Sequence, residues 1–211
     1  MTRSNGFTRR EALAAVKLHG SITADELGRA LGISPVAARQ HLASLEAEGL
    51  VTASVERRSV GRPVHRYRLS QEGDETFPRS YDALAITLIE ELKATGGEET
   101  VDALFARRRA RQVQALSARL AGHQLPDQVK AIAEHQTEAG YMATTREDGA
   151  SLLLVEHNCA ICRVARVCPT ACEHELAMFR DVLGEQAEVE RVSHIQSGDA
   201  SCTYRITPRP R

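Results

Sequence analysis

The chain has 211 residues, 42% hydrophobic and 26% charged, with 27 Lys+Arg against 28 Asp+Glu and no tryptophan, a profile that fits one to two ordinary folded domains. No stretch approaches the ~20 apolar residues of a membrane span, and the opening MTRSNGFTRR lacks the apolar segment of a signal peptide, so no membrane partner and a cytoplasmic location are expected. The charge is unevenly placed: residues 1–70 hold 11 Lys+Arg and 6 Asp+Glu, net +5, whereas residues 71–211 are net −6, so only the first end is built to meet a polyanion.

The basic end has a helical grammar. Ala12, Leu13 and Val16 recur at helical spacing over residues 9–19, and Gly20 stops the run. Thr23 with Glu26 three residues on is a capping box, which predicts a short helix through Leu31 and a turn at Gly32-Ile33-Ser34. Ser34 can cap a third helix over 35–48, with Pro35 at its first position, where no backbone donor is needed. Val36, Leu42 and Leu45 are its expected inward positions. Between them lie Ala37, Ala38, Arg39, Gln40, His41 and Ser44, small or hydrogen-bonding side chains that fit a major groove.

Residues 50–55 and 64–69 read as strands around a loop, and a hairpin after a helix-turn-helix is a wing. Candidate DNA contacts are Ser34, Pro35, Ala38, Arg39, Gln40 and Ser44 on the helix, and Arg57, Arg58, Arg62, Pro63 and Arg66 in and beside the wing. Arg39 and Gln40 are the candidates for base edges. The wing arginines suit phosphates or a minor groove, which predicts affinity that falls steeply with salt. Residues 8–70, with Gly61-Arg62-Pro63 in the wing and Tyr67 after it, resemble the winged helix-turn-helix of the ArsR/DeoR-like bacterial regulators, and the resemblance implies a DNA-binding role.

Residues 78–94 place Tyr81, Leu84, Leu88 and Leu92 on one apolar stripe, and residues 98–121 place Val101, Leu104, Phe105, Leu116 and Leu120 on another, with Gly96-Gly97 between. Arg107, Arg108, Arg109 and Arg111 read as a solvated face. A helix of about 24 residues suits pairing with a second subunit, and a homodimer matches a palindromic double-stranded DNA operator.

After Gly122 the pattern turns mixed, with helices over 127–139 and 172–183 and strands near 141–146, 151–156, 187–196 and 200–207. Ser197-Gly198-Asp199 joins the last two, and residues 208–211 form a tail. The expected fold class is α+β: a winged helix-turn-helix over 1–72, a helical linker and dimerisation region over 73–123, and a Cys-rich α+β sensor domain over 124–211.

Four of the five cysteines fall in Cys159-x2-Cys162-x5-Cys168-x3-Cys172, and Cys202 stands alone. Thiolate is the soft ligand preferred by zinc and iron–sulfur clusters, and several such ligands in a short stretch with a remote anchor have the form of a metal pocket. An odd count and no secretory leader speak against a disulfide framework. Four thiolates serve Zn2+ and a [4Fe–4S] cluster equally, so spacing leaves the choice open.

His157-Asn158-Cys159-Ala160-Ile161, Val164-Ala165, Pro169, Cys172, Glu175-Leu176 and Gly198-Asp199 through Cys202 and Tyr204 resemble the C-terminal half of the SufR-type iron–sulfur repressors. The resemblance implies that a winged-helix dimer carries a cluster on Cys159, Cys172 and Cys202 and represses genes for cluster assembly. Some members carry a further cysteine between the last two, and residues 173–201 have none here. The fourth ligand is therefore Cys162 or, as the alternative, Cys168, with His157, His174 and His194 as substitutes. Rival readings are a zinc-stabilised transcription factor and a metal-free thiol switch pairing Cys159 with Cys162. Cys159 beside His157 has the outline of a nucleophile and base, but the chain offers no oxyanion site or phosphate loop, and no enzyme activity is expected.

Overall fold

The capping signals at the N-terminal end become structure. In the computed structural model, which describes residues 9–57 and 63–210, the Thr23 box is complete: the Glu26 N–H donates to Thr23 Oγ1 at 3.2 Å, and the Thr23 N–H donates to Glu26 Oε2 at 2.8 Å. It opens α2 (Ala24–Leu31), which follows α1 (Arg9–His19) and ends at Gly32 with φ 66°. The Ala37 N–H donates to the Ser34 hydroxyl at 3.1 Å and starts α3 (Pro35–Ala47). Strands β1 (Val51–Glu56) and β2 (Val64–Leu69) pair antiparallel with Val51 opposite Leu69, and Ile22 bridges to Tyr67 beside them. Ala12, Val16, Ile22, Leu27, Ala38, Leu42 and Leu45 are the buried centre. Arg58, Gly61 and Arg62 of the wing lie outside the described residues.

A one-turn helix, α4 (Gln71–Glu75), closes this unit; the sequence reading did not anticipate it. Ser70 caps it through Gly73 N–H at 2.9 Å. A Cβ at Gly73 would lie 1.9 Å from the Leu50 carbonyl oxygen, a backbone atom that cannot step aside. Gly73→Ala is expected to destabilise the winged helix by about 1–3 kcal/mol, the usual cost of overpacking, read as a lowered midpoint in denaturant with unchanged slope.

Contacts divide the chain into two units, Met1–Arg79 and Ser80–Arg211. The second begins with α5 (Tyr81–Leu120), continuous in hydrogen bonding yet broken at Gly97, whose φ 73° and ψ 177° are not helical. This is the interruption that Gly96-Gly97 announces. Leu92, Val101, Phe105, Leu116 and Leu120 turn inward as expected, but Tyr81, Leu84, Leu88 and Leu104 are exposed, and Ile89 packs in their place.

Helix α6 (Leu125–Glu138) leads into a four-stranded antiparallel sheet of β3 (Ala143–Asp148), β4 (Ser151–Glu156), β5 (Ala187–Ser193) and β6 (Cys202–Pro208), in the order β3-β4-β6-β5. Two helices fall between β4 and β5: α7 (Cys162–Val167), not anticipated from sequence, and α8 (Thr170–Leu183). Strand β5 shows the alternation of a half-buried strand, Ala187 and Val189 inward and Glu188 and Glu190 outward. Its predicted extension to residue 196 is instead a single 3-10 turn, Ile195–Ser197. Leu116, Ile132, Leu154, Phe179, Leu183, Tyr204 and Ile206 form the core, with the Phe179 and Tyr204 rings edge to face at 4.7 Å. No helix among the described residues is long and apolar enough to cross a membrane.

Candidate functional site

On α3 the rotational phase decides which side chains can meet a ligand. Ala38, Leu42 and Leu45, spaced i, i+4, i+7, are all fully buried, so the outward face carries Pro35, Val36, Arg39, Gln40 and Ser44. Two assignments are thereby corrected. Ala38 belongs to the core rather than the groove face, and Val36, read as inward from its hydrophobicity, is 61% exposed beside Gln40. An exposed Val in that place offers the apolar contact that a thymine methyl accepts. Ser34 is exposed, but its hydroxyl serves the cap.

Arg39 stands 3.6 Å from Asp25, an exposed pair of little energetic weight. Arg66 is different. Its guanidinium donates to Glu56 at 2.5 Å and to the Ser21 hydroxyl at 3.2 Å, and lies 3.5 Å from Glu26. Those carboxylates raise its pKa, Glu56 most. Arg66 thus braces the hairpin against the capping box. Arg57 and Pro63 are exposed at the two ends of the wing loop.

The thiols converge because of the sheet's register. Cys202 opens β6 opposite Glu156, the last residue of β4, so the chain leaving β4 brings Cys159 to the same end of the sheet within three residues. Cys172 lies in the first turn of α8. Cys172 feels the charges of Cys159 and Cys202, Cys202 feels that of Cys159, and Cys159 feels that of Cys162. Cys162 N–H donates to the Cys159 carbonyl at 3.1 Å, a turn that holds the two a helical turn apart. Among the described residues no three His, Cys, Asp or Glu side chains are gathered so as to hold a metal ion as they stand, and no disulfide is present. The four cysteines share a neighbourhood rather than a finished ligand shell.

Cys168 is elsewhere. It caps α7 and is buried with Val101, Phe105 and Ala171 against Ile89, Leu92, Ile161 and Val164. Of the candidate histidines, His157 is paired with the Thr144 hydroxyl at 3.0 Å, and His174 pairs with Asp102 at 2.9 Å while stacking on Phe105. The Nε2 of His194 is buried with no hydrogen-bond partner among the described residues.

Beside the thiols lies an acidic pair that the sequence does not signal, Glu156 buried and Glu175 half-buried. Glu156 is 1% exposed and accepts from Gln136 Nε2 at 2.7 Å; Glu175, one helical turn after Cys172, accepts from Tyr204 Oη at 2.9 Å and also from Tyr141. Burial, then the Glu175 charge, pushes the Glu156 carboxyl up to about 9. Burial raises Glu175 as well, and both tyrosines. It likewise pushes Cys172 up to about 12 and Cys202 up to about 11, and raises Cys159. Arg191 opposes this at Cys172, donating to its carbonyl at 3.0 Å and to Glu173 at 2.6 Å. Such thiols stay neutral until a cation takes up the charge of the sulfur.

Two contacts join the cysteine segment to α5. Arg163, next to Cys162, donates to Asp82 in the first turn of α5 at 2.5 Å, and Ile161 and Val164 pack against the cluster that includes Val101 and Phe105 of α5.

Comparison with known proteins matches residues 8–52 to the family of winged helix-turn-helix DNA-binding domains. A probable C4-dicarboxylate response regulator, DctR of Bacillus subtilis (strain 168), is 44% identical over 66 residues, which are 31% of this chain and 29% of that protein. The chain thus spans less than a third of that relative's length. Among solved structures, YusO of Bacillus subtilis overlaps 62% of this chain and 72% of its own at 21% identity and a TM-score of 0.30. Bacillus subtilis PadR, solved with operator DNA, overlaps 63% and 95% at 13% identity and a TM-score of 0.29. The match over residues 8–52, with the β1–β2 hairpin following three helices, makes the N-terminal unit of this chain a winged helix-turn-helix DNA-binding domain.

Proposed function

We propose that the protein is a DNA-binding transcriptional regulator, a cytoplasmic homodimeric repressor, whose C-terminal unit senses iron–sulfur or redox status through a [4Fe–4S] cluster and controls genes for cluster assembly. The observation that carries the reading is the convergence of Cys159, Cys172 and Cys202 from three remote points of the chain, with Cys162 a turn away from Cys159.

The donor set fits the group: soft sulfur, partly or wholly buried, with a guanidinium near Cys172 to favour thiolate. Four thiolates around one tetrahedral zinc, with Zn–S near ~2.3 Å, must approach one another to within about 4 Å. Four thiolates serve a single Zn2+ and a cluster alike, and the preference for the cluster rests on the resemblance of the cysteine segment to the SufR-type repressors. When bound, the cluster supplies sensitivity to oxidants and to iron supply.

The protein's own part is mechanical. Cys162 opens α7, whose Ile161 and Val164 side rests on α5, and Arg163 holds the first turn of α5 through Asp82. A change in how Cys159 and Cys162 are held shifts α7 and, through it, the helix that follows the DNA-binding unit in sequence; this is coupling between two sites through a two-state element. The exposed Leu84 and Leu88 on α5 suit burial against a second copy, and two recognition helices suit a palindromic operator.

Anaerobic purification with visible absorption and iron and sulfide assay tests the proposal. A brown protein with iron and acid-labile sulfide supports it. Colourless protein with stoichiometric zinc gives the zinc-stabilised factor, and neither metal gives the thiol switch. On the DNA side, Arg57→Ala is expected to weaken binding to all sequences alike and to reduce the salt slope by about 1, whereas Gln40→Ala should cost about 1–3 kcal/mol at one operator position. Fluorescence anisotropy at several salt concentrations with matched and mismatched duplexes separates the two.

A further inference from the structure

The turn between β5 and β6 touches sulfur twice. Ile195 N–H donates to Cys202 Sγ at 3.4 Å, and the Gln196 side-chain amide donates from Nε2 to Cys162 Sγ at 3.6 Å. The turn is itself tightly held: Ser197 N–H donates to the His194 carbonyl at 2.9 Å, Gly198 N–H to that of Ile195 at 3.0 Å, and Asp199 accepts from His194 N–H at 2.7 Å. Gly198 closes it at φ 99°. One rigid turn therefore presents a backbone donor to the thiol of the last strand and a side-chain donor to the thiol of α7, two sulfurs 40 positions apart in the chain.

We propose that Gln196 is the positioning residue that turns Cys162 into the fourth donor of the thiol group, by holding its sulfur with an N–H bond while the same turn holds Cys202. This rests on the reading of the thiol group as a metal site. An N–H directed at sulfur is one of the features that set how firmly a cluster is held. Cys168, buried in its own apolar cluster, is left as the spare.

Glu has the shape of Gln without the donor and with a negative charge, so a packing role and a donor role predict opposite results. The full-length chain and its Gln196→Glu, Gln196→Leu and Cys162→Ser variants are purified without oxygen, and loss of visible absorbance to a bipyridyl chelator is timed. Loss about fivefold faster than in the unmodified chain for the Leu variant, and about tenfold or more for the Glu variant, is expected from one charge-assisted hydrogen bond. A Glu variant that keeps its iron as well as the unmodified protein overturns the proposal, as does a Cys162→Ser variant with unchanged retention. If the unmodified protein carries no iron, sulfide or zinc, it is the metal reading that has failed. The Gln196→Glu and Gln196→Leu variants are then compared with the unmodified chain by the rate at which iodoacetamide alkylates Cys162, located by mass spectrometry. A rate about tenfold slower in the Glu variant sustains the Gln196–sulfur bond, and equal rates overturn it.

Discussion

Cys172→Ser, purified without oxygen, is expected to be colourless and to lose the metal-dependent part of its operator affinity, while Cys168→Ser keeps both colour and response. The contrast follows from where the two sulfurs sit. Cys172 is in electrostatic contact with Cys159 and Cys202, and a hydroxyl there removes a soft ligand that serine does not replace. Cys168, four residues earlier, faces Val101 and Phe105, where a serine costs packing but no ligand. Visible absorption, iron content and anisotropy with and without chelator read all three quantities on the same samples. A brown, operator-tight Cys172→Ser protein would remove the basis for the sensing role and leave a plain DNA-binding regulator.

Glu156→Gln is expected to raise the stability of the metal-free protein at pH 8 by something on the order of 2–4 kcal/mol and to flatten its pH dependence. The buried carboxyl carries a folded-state pKa of about 9 against 4.5 for the free group, so the folded chain keeps a proton that the unfolded chain releases. Stability therefore declines as pH rises from about 4.5 towards about 9, and is least penalised below the lower value. Gln has no proton to lose, keeps an acceptor for Gln136 and gains an N–H that Glu175 can accept. Sharing of protons between Glu156 and Glu175 is why the gain falls short of a full 1.36 kcal/mol for every unit of pKa gap. Chemical denaturation at pH 5, 6.5 and 8 checks the slope; a variant whose stability follows the same pH curve as the parent would place the titrating group elsewhere.

Local rules were legible wherever one residue type has one strong use. Thr23 with Glu26, Ser34 with Pro35 and the Gly96-Gly97 break each appear in the structure where the chain announces them. The N-terminal unit is readable for this reason, since caps, turn and hairpin follow one another without long-range help. Errors came where tertiary packing overrides residue character. Val36 is hydrophobic and exposed because the phase of α3 is set by Ala38, Leu42 and Leu45, and alanine gives no sign that it lies in a core. Leu84 and Leu88 look like core residues and are not buried within the chain. Helix α7 is only six residues long, too short for a period to show. Glu156 and Glu175 were invisible for a further reason: carboxylates usually point to water, and only the neighbouring Tyr141, Tyr204 and Gln136, remote in sequence, make their burial tolerable.

Gly97 has a consequence for how α5 can move. A continuous helix of 40 residues would run about 60 Å as one stiff rod, but the left-handed φ of 73° divides it into pieces of ordinary length on either side. A Cβ at this position would meet nothing within 4 Å, so what glycine provides is torsional freedom rather than room. The two torsions of this single residue set the angle at which the first half, with Ile89 and Leu92, meets the cluster that Val101 and Phe105 build on the second, and any L-residue placed there would pull those bonds towards the helical basin and fuse the halves into one lever.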